Sequence, residues 1–143
     1  MTAIAPLRVK LPMALLDLEL TRAIFAQALD RAPDFAGRVL EALHSAHPEL
    51  ATLLPLSAQG QEARLEEATQ LVLGSLEDEA LLDRHLAGYG QALRRHGVST
   101  KAYGWLGLTL LERLAAILSD VWSPQHRRAV TRLWRRVAIG LRA

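Results

Sequence analysis

Gly97-Val98-Ser99-Thr100-Lys101-Ala102-Tyr103-Gly104-Trp105-Leu106-Gly107-Leu108-Thr109-Leu110-Leu111-Glu112-Arg113-Leu114 joins a helix stop to a helix start. Gly97 is the natural end of one helix, because glycine accepts the left-handed conformation that a C-terminal cap needs. From Ser99 or Thr100 onward a new helix is expected. Its apolar residues Tyr103, Leu106, Leu110, Leu111 and Leu114 recur at helical spacing, and Ile117, Leu118 and Val121 extend the stripe. That period belongs to a helix with one buried face. No part of the chain alternates apolar and polar residues over strand length, and there is no Asn-Gly or Asp-Gly hairpin signal. The expected class is all-α.

The same punctuation divides the rest of the chain. Upstream, Ser75 with Asp78 resembles a capping box that starts a helix carrying Leu81, Leu82, Leu86, Tyr89 and Leu93 and ending near His96-Gly97. Before it, a helix from about Gln61 to Leu76 places Leu65, Ala68, Leu71, Val72 and Leu76 on one face, with residues 57–60 expected as loop. Earlier still, a first helix from Pro12 or Met13 to Asp30 is separated by Pro33 from a second that Asp34 can cap and that ends near His47-Pro48. Downstream, Ser123-Pro124 supplies an N-cap and a first-turn proline for a last helix with Val130, Leu133, Trp134, Val137, Ala138 and Leu141 on one stripe. The layout is six to seven packed helices in a single domain spanning 1–143, with 1–12 as an irregular lead.

The composition bounds the chemistry. Half of the 143 residues are apolar, 29 are leucine and only 5% are aromatic, so the core is aliphatic. The absence of cysteine excludes disulfides, zinc–thiolate sites, iron–sulfur clusters and cysteine nucleophiles. No run reaches the eighteen or so apolar residues of a membrane span, and Met1–Lys10 lacks the pattern of a secretory signal, so a cytoplasmic protein is expected. The net charge is only +2, but it is unevenly spread: seven carboxylates lie between Glu62 and Asp83, whereas six arginines, His126 and no carboxylate follow Asp120. The basic face of the last helix carries no interleaved aromatics, which favours a solvated face over nucleic-acid binding. No phosphate loop, Gly-x-Ser-x-Gly elbow or His-Glu-x-x-His pattern is present, and His44, His47 and His126 are expected at the surface. Nothing here suggests an enzyme, a metal site or a membrane partner.

Three of these segments together resemble a known family, the globins, in the branch of bacterial single-domain globins and flavohaemoglobins. Gly97-Val98, Tyr103, Gly107 and the Leu110-Leu111 pair are similar to a motif of that branch. Val39-Leu40-Glu41-Ala42-Leu43-His44-Ser45-Ala46-His47-Pro48-Glu49-Leu50 resembles its Pro-Glu-Leu turn, and Trp122-Ser123-Pro124-Gln125 with Ala129, Val130 and Trp134 resembles the start of its last helix. The similarity runs from about residue 20 to 142, and it implies a globin-like fold.

The resemblance also shows what is replaced. The iron-ligating histidine of haem globins stands ten residues before the motif tyrosine, and counting back from Tyr103 reaches Leu93, which has no lone pair for iron. The phenylalanine that wedges haem falls on Leu54, and the distal tyrosine of oxygen-detoxifying members falls on Leu40. Gln61 matches a distal glutamine and Leu65 the apolar residue one turn on. These residues, with Tyr89, Val98 and Tyr103, form the expected ligand pocket. The resemblance therefore implies a globin-fold protein without haem, similar to the globin-like sensor domains of bacterial stress-signalling complexes. Such a protein would serve a sensory or interaction role, take an apolar small molecule, and pair with a second copy or a protein partner through its last two helices. The alternative is a haem protein binding oxygen or another diatomic gas, with His96 or His85 as a substitute iron ligand and Arg64 meeting a propionate.

Overall fold

A computed structural model describes residues 17–143, and all regular structure in that span is helical. Six α-helices follow in order: α1 Leu18–Arg31, α2 Phe35–Ala46, α3 Ala58–Gly74, α4 Glu79–Arg95, α5 Lys101–Ile117 and α6 Pro124–Arg142, with a 3-10 segment Pro48–Thr52 between α2 and α3. No described helix is long and apolar enough to cross a membrane. The expected helix start at Pro12 or Met13 and the lead before it lie outside the described residues.

Local chemistry sets most helix starts. Asp17, Ser57, Asp78 and Ser123 each place a side-chain oxygen on the backbone N–H three residues later, at 3.0 Å, 3.0 Å, 3.1 Å and 3.3 Å respectively. Each satisfies one of the amides that a helix start leaves unpaired. Two of these correct the sequence reading. Residues 58–60 are the first turn of α3 rather than loop, because Ser57 caps them. Ser75 does not open α4: it ends α3, its hydroxyl donating to Leu71 O at 2.6 Å, and Asp78 alone is the cap of α4. Asp34 stands at the start of α2 but its carboxylate accepts from Arg38 Nε at 3.0 Å instead of capping backbone.

The stop at Gly97 behaves as its sequence implies. Gly97 has φ +80°, Val98 N–H donates to Leu93 O and Gly97 N–H donates to Arg94 O, both at 3.0 Å. This paired reverse pattern is a Schellman cap, and it carries Leu93 and Val98 to the same side of the turn.

The core gathers α1, α2, α4, α5 and α6 around Ile24, Phe25, Val39, Leu86, Leu114 and Val130, all nearly inaccessible. Helices α4 and α6 make the closest crossing. A β-carbon at Gly90 would overlap the carbonyl of Leu141, and one at Gly140 would overlap the side chain of Leu86. Across the same pair, the buried Arg136 reaches Asp83 at 2.6 Å, so one of the arginines expected on the solvated face is turned inward. Arg94 of α4 donates to Leu141 O and Ala143 O, and Arg22 of α1 donates to Leu73 O and Glu77. Each cation thus meets the free carbonyls of a helix C-terminus. By contrast α3 buries only Gln61, and Leu71 and Val121, both expected on apolar stripes, are exposed.

The three histidines expected at the surface are half-buried. His47 stacks on Trp105 with ring centroids 3.7 Å apart, which ties the end of α2 to α5. His126 Nδ1 lies 2.7 Å from Ser123 Oγ beside the Trp122 ring.

Two glycines of α4 and its cap should respond in opposite directions to the same substitution. Gly97→Ala forces alanine into the left-handed region and is expected to cost about 1–2 kcal/mol. Gly88→Ala meets open space inside a helix and should stabilise by about 0.5–1 kcal/mol. Urea denaturation of both variants checks the pair.

Candidate functional site

The interior is not filled. A cavity of about 480 Å³ lies between the helices, and its wall includes the exposed Arg64 of α3 and the exposed Arg95 and His96 at the end of α4. That size falls in the range of small-molecule sites, roughly 300–1,000 Å³. Helical periodicity builds its wall. Gln61, Arg64, Leu65, Ala68 and Val72 form one face of α3, and Leu86, Tyr89 and Leu93 form one face of α4. Tyr103, Leu106 and Leu110 of α5 and Leu133, Trp134 and Val137 of α6 close the far side, with Phe25 and Phe35 meeting edge to face at 6.4 Å.

All eight residues expected to form a pocket line this cavity: Leu40, Leu54, Gln61, Leu65, Tyr89, Leu93, Val98 and Tyr103. Arg64 and His96 line it as well, and His85, half-buried on α4, does not. Leu93 belongs to the wall at the position where the globin resemblance puts an iron ligand. It offers no donor atom, so the residues present do not fit haem held in that manner. Gln61 Nε2 donates to Ala51 O at 3.1 Å and Leu56 O at 3.2 Å, which uses both amide hydrogens to tie the preceding loop to α3. Tyr103 is buried and its hydroxyl has no partner among the described residues.

Burial raises the Tyr89 hydroxyl pKa, with Glu67 adding to the rise and Arg64 opposing it, so both charges lie near that ring at the cavity edge. The wall also takes in many residues that the sequence did not mark for the pocket, among them His44, Arg95 and Trp134. Arg95, in the last turn of α4, lies three residues beyond Ala92, which also lines the cavity.

Beside the cavity, between α2 and the start of α3, lies a polar hollow lined by Asp34, Arg38, Glu41, Ser45 and Glu62. Leu40 and His44 line both spaces and so form the partition between them. Among the described residues no three histidines or carboxylates converge to hold a metal ion. Compared with known proteins, the chain matches no family model and no curated protein.

Burial in the partition lowers the His44 pKa below its ordinary 6.5. The unfolded chain therefore takes up this proton more readily than the folded one, so the stability His44 permits is complete above that value and declines as pH falls through it. Urea midpoints measured between about pH 7 and pH 5 should fall more steeply for the wild type than for His44→Leu. Parallel curves would show that His44 protonates as freely in the fold as in the unfolded chain.

Proposed function

We propose that this chain is a globin-like protein that binds an apolar small molecule in its central cavity and works as a sensory or interaction module rather than an enzyme. The observation that carries the reading is the cavity itself, about 480 Å³, with leucine in its wall at positions 40, 54, 65 and 93. Each leucine withdrawn from water by a ligand contributes about 1.5–3 kcal/mol when fully covered. The helix order, with a short 3-10 segment after α2, supports the globin-like assignment. Exposed apolar side chains support pairing through the last two helices: Leu108 on α5, Val121 on the link and Ile139 on α6 are 55%, 42% and 60% accessible. The second copy or partner would cover them.

One observation favours a second reading. His96 lines the cavity three residues beyond Leu93, where haem iron could find an imidazole.

Titration with the uncharged dye N-phenyl-1-naphthylamine tests the first reading. One equivalent should bind, and Leu93→Trp, which pushes an indole into the cavity, should weaken binding at least about tenfold while helical content is kept. Dye binding that ignores the Leu93→Trp change places the dye elsewhere and removes the support. Haemin addition separates the second reading: a Soret band lost in His96→Ala would establish it, and a colourless mixture would dismiss it.

A further inference from the structure

The cavity wall carries charge of one sign only. Its ionisable members are Arg64, Arg95, His44, His96 and the two tyrosines, and no aspartate or glutamate lines it. The neighbouring hollow, by contrast, is lined by Asp34, Glu41 and Glu62. A β-carbon at Gly97 would lie 4.0 Å from Leu53 Cδ2, and Gln61 of α3 donates to Ala51 O and Leu56 O, so the end of α4 that bears Arg95 and His96 lies beside the loop that leads into α3. The influence of Arg64 on the Tyr89 hydroxyl sets that arginine beside α4, and Arg64, Arg95 and His96 all line the same cavity. Glu67, the other charge near Tyr89, stands outside the wall.

The two arginines of this wall are also uncommitted. Arg22, Arg31, Arg38, Arg94 and Arg136 each hold a carboxylate or a helix-end carbonyl. Arg64 and Arg95 have neither a hydrogen bond nor an ion pair among the described residues, although seven carboxylates lie in the segment from Glu62 to Asp83. Away from these arginines the wall is apolar, through Leu93 and Leu65 to Phe25, Phe35 and Val39.

Resting on the reading that the cavity takes a ligand, we infer that its occupant is an amphipathic monoanion, a medium- to long-chain carboxylate. The chain lies in the apolar interior and the carboxylate sits at the α3–α4 mouth on Arg64 and Arg95. A guanidinium offers a carboxylate two parallel N–H donors, a geometry that an ester or alcohol cannot use. Both arginines are exposed, so the head group keeps part of its water and the ion pair escapes the heavy desolvation of a fully buried one. Affinity comes from the tail, and each added methylene tightens binding about fourfold while space remains. The head supplies orientation and choice among apolar compounds.

Isothermal titration of the whole chain with octanoate, dodecanoate and dodecan-1-ol tests this, with haemin as a competitor. Dodecanoate should bind once per chain, about two-hundredfold more tightly than octanoate and at least about tenfold more tightly than the alcohol. The double variant Arg64→Gln/Arg95→Gln should bind the acid and the alcohol alike, with its melting temperature kept. The control Arg84→Gln/Arg128→Gln, which removes the same charge from the surface, should discriminate as the wild type does. Equal binding of acid and alcohol by the wild type overturns this inference and leaves the apolar-ligand reading standing. Loss of discrimination in the control reduces the effect to net charge and also overturns it. Failure of all three compounds and of the uncharged dye overturns both readings. Displacement of dodecanoate by haemin with a Soret band assigns the mouth to haem carboxylates instead.

Discussion

The contact on which the rest of the molecule depends is the backbone-to-backbone crossing of α4 and α6 at Gly90 and Gly140. With no β-carbon on either side, the Leu141 carbonyl and the Leu86 side chain occupy the space a larger residue would take. That closeness brings Arg136 within reach of Asp83 and Arg94 within reach of the last carbonyls of α6, so a basic helix is held by charge as well as by apolar contact. It also fixes the direction of α4. Leu86 packs against Gly140 and also lines the cavity, as does Leu141 opposite Gly90. The tight seam therefore forms one edge of the cavity.

Helix existence was legible because it rests on local signals. The apolar period of α5 and α6, the proline after Ser123 and the glycine at 97 each dictate their result within one or two turns of chain. Errors arose where two local signals compete. Ser75 and Asp78 have the spacing of a capping box, but Ser75 bonds back to Leu71 and closes the preceding helix. Asp34 has the type and place of a cap, yet Arg38 one turn on takes its carboxylate. Either outcome fits the same letters, and the packing of the flanking helices decides between them.

The eight residues expected at a pocket meet at one cavity, whose wall also takes in most of the inward faces of the helices. Leu40, Leu54, Leu65 and Leu93 come from three helices and a turn, and no local rule brings them together. What spacing could not convey is the fate of polar atoms. Gln61 spends its amide on Ala51 and Leu56, and His47 finds Trp105 through a contact between distant helices. Arg95 stands one turn beyond Ala92 in the last turn of α4, a cation on a wall that is otherwise mostly apolar.

Helix α3 is held in an unusual way. Near one end, Ser57 and Gln61 bind it to its own preceding loop; near the other, Arg22 grips Leu73 and Ser75 folds back on Leu71. Between these anchors α3 meets the core through the half-buried Leu65, Val72 and Leu73 rather than through any fully buried apolar side chain. The wall that it gives the cavity is therefore the one with the least packing behind it.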